Sequence, residues 1–258
     1  MDDKIAESLP RGVAISWGLV KQPQRGPKRE MSIKQIVNAA MSIADKEGLQ
    51  SVSMARVAAL LGFTPMSLYR YVPSKDDLLV LMQDAACDIP IPPVDKNKSW
   101  RENLHEYFRS TLKAFRDHPW FGDIPISGVP ITPNNLKVID WALRCIQELL
   151  LNDYEKMSIV LLISSYARSC GMIQRDMDRA IEKGATPDAF SGRAYTSALK
   201  LLVTKERFPN LYPIVDSGVY TEENTEDNNV VNDFEFGLER ILDGIEHYLD
   251  LKEDGEIK

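Results

Sequence analysis

A chain of 258 residues is too long for one small module and suits a single large domain or a small one joined to a larger. Its 44% hydrophobic and 27% charged side chains exclude a wholly disordered or fibrous chain. No apolar run approaches the roughly 18 residues that cross a bilayer, nor is there a signal-peptide pattern, so a cytoplasmic globule with no membrane partner is expected.

The net charge of −7 is spread unevenly. Arg11 to Lys75 holds ten Lys or Arg against three Asp or Glu, whereas residues 88–258 hold 20 basic and 29 acidic side chains. The first part is therefore the one suited to a polyanion. Within residues 1–29, Pro10, Gly12, Gly18, Pro23, Gly26 and Pro27 accompany Lys21, Arg25, Lys28 and Arg29. That mixture interrupts helical periodicity and predicts a flexible basic arm.

Ser32 with Gln35 forms a capping box, and Ile33, Ile36, Val37, Ala40 and Ala44 recur on one face until Gly48, which predicts a first helix. A short second helix fits Met54 to Leu61, capped by Ser53 and ended by Gly62. The third opens with Thr64 as cap and Pro65 in the first position, and runs to about Tyr71 before Pro73 blocks it. Ser74 with Asp77 caps a fourth, whose Leu78, Leu79, Leu81 and Met82 lead away from the three-helix unit.

Two short helices joined through Gly62 to Thr64 match a helix-turn-helix, whose second helix enters the major groove. In that second helix Leu68 serves the core, and the remaining residues, Thr64, Pro65, Met66, Ser67, Tyr69, Arg70 and Tyr71, are free to face outward. Tyrosine hydroxyls and Arg70 can donate to phosphates or base edges, and Met66 or a Tyr ring can touch a thymine methyl. Packing of Tyr69 and Tyr71 against the first helix is the other reading.

The span Ser32 to Asp84, above all GLQSVSMARVAALLGFTPMSLYRYVPSKDDLLVLM, resembles the DNA-binding region of the tetracycline-repressor family of transcriptional regulators. The resemblance implies that Thr64 to Tyr71 is the recognition helix, that Tyr69 and Lys75 contact an operator, and that Ser53 lies at a phosphate contact. Ala55 stands where some members place a base-reading arginine, so no operator sequence carries over. The basic arm is similar to extensions that reach alongside DNA in some members; an arm without contact is the alternative.

Past Asp88 the run Ile89-Pro90-Ile91-Pro92-Pro93 marks a linker. The chain then divides into an arm at 1–29, a helix-turn-helix domain at 30–87 and a second helical domain at 88–258. Helical patterns fit Trp100 to Asp117, Pro133 to Leu151, Tyr154 to Lys183, Ala194 to Lys205 and Val230 to Leu251, with no competing strand alternation, so the fold class expected is all-α.

In the last helix Val231, Phe234, Leu238, Ile241, Ile245 and Tyr248 form an a/d stripe that wants a partner helix. Ser164, Ser165, Ala167 and Gly171 are small enough to let another helix approach. Together they suggest a four-helix homodimer interface, with an intrachain core as the alternative. Phe234 to Leu249 looks like the C-terminal helix of the family's ligand-binding domain. The resemblance also implies a cavity for a small, largely apolar effector, for which Phe108, Phe115, Trp120, Phe121 and Trp141 are candidate walls and His118 a polar handle. Plain core is the first reading for each of these aromatics, and a pocket wall the second.

His105, His118 and His247 make no metal-ligand pair, no nucleophile or phosphate-loop motif occurs, and Cys87, Cys145 and Cys170 read as buried free thiols. No enzyme, cofactor or metal is expected. The reading is of a homodimeric regulator that represses from a near-palindromic double-stranded DNA operator and is released by a small effector, repression itself being implied by the resemblance. A helical enzyme or adaptor with an incidental helix-turn-helix is the alternative.

Overall fold

The structure, a computed structural model, describes residues 8–20, 31–93, 95, 97–125, 130–184, 193–218 and 230–255. Among them every regular element is a helix, α or 3-10. The chain groups into two compact units, one ending at Met172 and the other beginning at Ile173.

The first unit opens with α1 (Arg11–Ser16), followed by α2 (Ile33–Glu47), α3 (Met54–Leu61), α4 (Pro65–Tyr69) and α5 (Lys75–Ala86). Each of α2 to α5 begins where a hydroxyl satisfies an otherwise orphaned first-turn amide, a contribution of about 1 kcal/mol per cap. Ser32 and Gln35 exchange the two bonds of a capping box, Ser53 accepts from the Arg56 amide, Thr64 from Ser67 and Ser74 from Asp77. The chain turns between α3 and α4 at Gly62, whose φ of +75° few other residues tolerate. Ile36, Val37, Ala40 and Ala44 on α2 close over Val57, Ala58, Leu68, Leu78 and Met82 in one continuous core. Burying each large aliphatic side chain there contributes roughly 1.5–3 kcal/mol.

The arm expected to be flexible throughout is not so. Residues 11–16 are helical, and Gly12, Val13, Ala14 and Ile15 are buried. This α1 packs against α5, with the Gly12 α-carbon so close that a Cβ there would lie 3.0 Å from the Asp77 backbone. Trp17 Nε1 donates to the Ile131 carbonyl at 2.7 Å. Pro10 precedes the helix and Gly18 follows it, so residues that looked like breakers act as its boundaries. The basic residues Lys21, Arg25, Lys28 and Arg29 lie outside the described residues.

The unit continues through α6 (Trp100–Asp117), α7 (Pro133–Cys145) and most of α8 (Asp153–Glu182). Helix α7 ends earlier than the pattern predicts, in turns over residues 146–148. The boundary near Asp88 is bridged by contacts. The Asn134 amide at the start of α7 donates to the buried Asp84 of α5 at 2.8 Å, and Asn134 Nδ2 donates to the Asp84 carbonyl at 3.2 Å.

The second unit holds the end of α8, then α9 (Arg193–Leu202), α10 (Tyr212–Ser217) and α11 (Val230–Glu253), with α9 packed on α10. Helix α10 falls where a connecting stretch was expected; Pro213 sits in its first turn, where a missing N–H is harmless. No helix among the described residues is long and apolar enough to cross a membrane.

All three cysteines are free and buried. Burial pushes the Cys87 thiol up to about 12, with Asp84 adding to it, and the Cys145 thiol up to about 11. At pH 8 only about one Cys87 thiol in ten thousand is then ionised. Iodoacetamide at that pH should leave Cys87 and Cys145 unmodified in the native chain and label them in denaturant, as mass spectrometry would read; rapid native labelling of either would contradict the burial.

Candidate nucleic-acid interface and the helices behind it

Helix α4 stands on the three-helix unit by Leu68, which is fully buried, and by Val72 just beyond it. On its other side Met66 is 74% exposed and Tyr69 44% exposed, an unusual apolar surface for a helix this short. Thr64, Pro65, Arg70 and Lys75 are also exposed. Ser67 is half-buried, and its hydroxyl lies 3.0 Å from that of Thr64. Tyr71 is half-buried and packs on the core, so of the two tyrosines weighed as core residues one is partly so and Tyr69 is not. Ser53 and Lys75 each sit at a helix start, where the N-terminal dipole adds to the attraction for a phosphate. Arg56, one turn into α3, is held by Glu47 at 2.6 Å and donates to the Ser51 carbonyl, which ties α3 to α2.

Behind this unit the aromatic residues expected to wall a cavity are packed against other aromatic rings. Phe108 stacks on Tyr166 with ring centres 5.5 Å apart, Trp141 meets Tyr107 edge-on at 5.4 Å, and Phe115 stacks on Phe121 at 4.8 Å. The Ser164 hydroxyl donates to the Val160 carbonyl, so the Tyr107 hydroxyl at 2.8 Å donates to Ser164. Burial pushes the Tyr107 hydroxyl above its ordinary range. An open groove of about 460 Å³ lies instead between α7 and the start of α8, bounded by Asp140, Leu143, Arg144, Gln147, Asp153, Lys156 and Met157, and it includes none of the expected aromatics.

His118 and Trp120 both point at Asp45 on α2, whose Oδ1 accepts from Trp120 Nε1 at 2.5 Å and lies 3.0 Å from His118 Nδ1. A carboxylate oxygen only accepts, so the imidazole proton belongs on Nδ1. Sequence reasoning missed Asp45 because an acid in a last helical turn, beside Lys46 and Glu47, reads as a solvated surface residue.

The residues assigned to a dimer interface are also engaged within the chain. Ala167 is fully buried and Ser164 holds Tyr107, while a Cβ on Gly171 would lie 2.5 Å from the Phe115 Cβ. These small residues admit α6 of the same chain. On α11, Phe234, Leu238 and Ile245 are buried and Ile241 and Tyr248 half-buried; the Val231 side chain lies outside the described residues. A 3-4 stripe specifies an apolar partner but not which chain supplies it. The exposed stripe lies elsewhere on α8, where Tyr154, Met157, Leu161 and Leu162 share one face.

A capped helix-turn-helix, with its second helix exposed and a helical body behind it, defines a DNA-binding regulator of the two-domain, all-helical class. Comparison with known proteins makes the assignment particular. Residues 36–82 match the tetR family of bacterial regulatory proteins and residues 92–249 the tetracyclin repressor-like C-terminal domain. The chain is 34% identical over 239 residues to the HTH-type transcriptional repressor DrrR1 of Streptomyces coeruleorubidus, covering 92% of this chain and 86% of that one. It is 25% identical to the class E tetracycline repressor of Escherichia coli, over 65% of this chain and 83% of that protein. The TetR-family protein ActR of Streptomyces coelicolor, solved in complex with (S)-DNPA, superposes with a TM-score of 0.67 at 25% identity, covering 84% of this chain and 98% of that one. The chain belongs to the tetracycline-repressor family; it is a transcriptional regulator and not an enzyme.

Proposed function

We propose that this regulator is a cytoplasmic homodimeric repressor that binds a near-palindromic operator through α4 and its surroundings and leaves it when a small effector binds the helices behind. The exposed face of α4 carries the reading. Lys75 and Ser53 serve phosphates, Tyr69, Met66, Arg70 and the Thr64–Ser67 hydroxyl pair face base edges, and Pro65 and the outer edge of Tyr71 complete the surface. Functionally the chain divides at residues 30–87 for DNA and 88–258 for effector and partner, with the arm at 1–29 now including a docked helix. The exposed stripe of α8 supports a seam between two copies, and two-fold symmetry then dictates a two-fold operator.

Phe108, Phe115, Phe121 and Trp141 remain the side chains suited to an apolar effector, which must part their packed rings to enter. The solved complex of ActR with (S)-DNPA supports a small-molecule effector. Release follows if the effector favours a spacing of recognition helices other than the 34–36 Å, or a multiple, that successive major grooves require.

Selection from random duplexes, read for two-fold symmetry, tests the reading; recovery of unrelated or asymmetric sequences would count against it. Lys75→Ala should then weaken all duplexes alike and lower the slope of log K against log salt by about 0.9 for each phosphate the side chain no longer neutralises. Tyr69→Ala should cost about 1–3 kcal/mol on the selected site and relax preference at one position in each half-site. Equal losses on random and selected duplexes would remove Tyr69 from base reading.

A further inference from the structure

The connecting helix α5 is the evident path between effector and DNA, and Asp84 joins its far end to Asn134 of α7. A second attachment reaches the DNA-binding unit at a different helix. Asp45 lies in the last turn of α2, whose inner face forms the floor on which α3 and Leu68 of α4 rest. One oxygen of that carboxylate receives both Trp120 and His118. Trp120 is fully buried, so its N–H has no water to turn to and its bond to Asp45 is costly to break.

The segment bearing these two residues is also held by α8. It runs from the end of α6 through a single 3-10 turn at Phe121–Asp123, where the Phe121 amide bonds the His118 carbonyl at 2.8 Å. Arg168 of α8 donates to the Gly122 carbonyl at 2.6 Å and to the Ile124 carbonyl at 3.0 Å. Phe115, Trp120, Phe121 and Ile124 belong to the same core as α2, α3 and α5. A guanidinium holding two carbonyls and a carboxylate holding two ring N–H groups are short-range and directional, so a shift of α8 cannot be absorbed between them without breaking a bond.

We propose that Asp45 is a positioning residue, through which α8 and the 118–124 turn set the placement of α2 and so of the recognition helix, by a route separate from α5. This rests on the reading of the chain as an operator-binding regulator. By reciprocity, whatever α8 does to α2 through this relay, DNA bound on α4 must do to the 118–124 turn.

The probe is the full chain with a duplex recovered by selection, followed by amide hydrogen exchange. In the wild type, adding the duplex should change exchange at Phe121, Asp123 and Ile124 several-fold, in addition to protecting α4. Asp45→Ala should still bind the duplex and protect α4 but lose the response at the turn. The double variant His118→Ala with Trp120→Phe leaves α2 intact and should behave the same way, which decides the matter if Asp45→Ala does not fold. A merely structural bond would lower thermal stability in both variants and leave the response in place. A wild-type turn indifferent to bound duplex, or a response that survives in either folded variant, overturns the proposal. Failure to recover any duplex would instead count against the regulator reading itself.

Discussion

Gly171→Val should destabilise the first unit by about 3 kcal/mol, near the upper end of overpacking costs in a filled core. A Cβ at Gly171 lies 2.5 Å from the Phe115 Cβ and 2.9 Å from its Cγ, both next to the α6 backbone and not at the free end of a flexible side chain. Phe115 cannot swing away, because it is 7% exposed and stacked on Phe121. The two helices must therefore separate, which would also pull on the turn that Arg168 and Asp45 hold. Alanine there gains about 1 kcal/mol of helix propensity over glycine and should still be a net loss, since the clash begins at Cβ. Urea denaturation would show a lower midpoint at unchanged slope. Phe115→Ala should recover part of the loss in the Gly171→Ala background, the coupling expected of residues in contact. A valine variant as stable as the parent would mean that α6 and α8 do not approach as described.

The DNA-binding unit was legible in the sequence because its signals are local. Ser32 with Gln35, Ser53, Thr64 with Pro65 and Ser74 fix helix starts within a few residues of chain, and the structure reproduces each cap. What was not legible depended on long-range choice. Gly171 and Ala167 showed that some helix comes close to α8, but nothing in their spacing says that it is α6 of the same chain. His118-Pro119-Trp120 at a helix end looked like a polar handle for a ligand, yet its partner is Asp45, more than 70 residues away in sequence. Pro10 and Gly18 failed as signals for the opposite reason. Counted as breakers they predict an arm, whereas read as boundaries they enclose six helical residues that bury against α5.

The exposed face of α8 leads to the largest functional effect. Tyr154, 81% exposed, and Leu161, 67% exposed, lie seven residues apart, two helical turns along one face, with Met157 and Leu162 beside them. Apolar residues spaced this way on the outside of a packed unit are the pattern of a helix awaiting another. Tyr154→Glu with Leu161→Glu should give a chain that keeps its helix content and sediments as a monomer, because neither side chain contributes much to the fold of the single chain while both would place a carboxylate in the seam. Operator affinity should fall about a hundredfold to ten-thousandfold, the loss expected when two linked half-site contacts become one. Binding of a single half-site at low salt should survive, since α4 and its core are untouched. Leu238→Glu is the informative contrast: that side chain is fully buried within its own chain, so the expected result is unfolding and not dissociation. A double variant on α8 that still sediments with the parent and binds operator as tightly would place the seam on another surface, and a parent that is itself monomeric on its operator would remove the two-fold argument altogether.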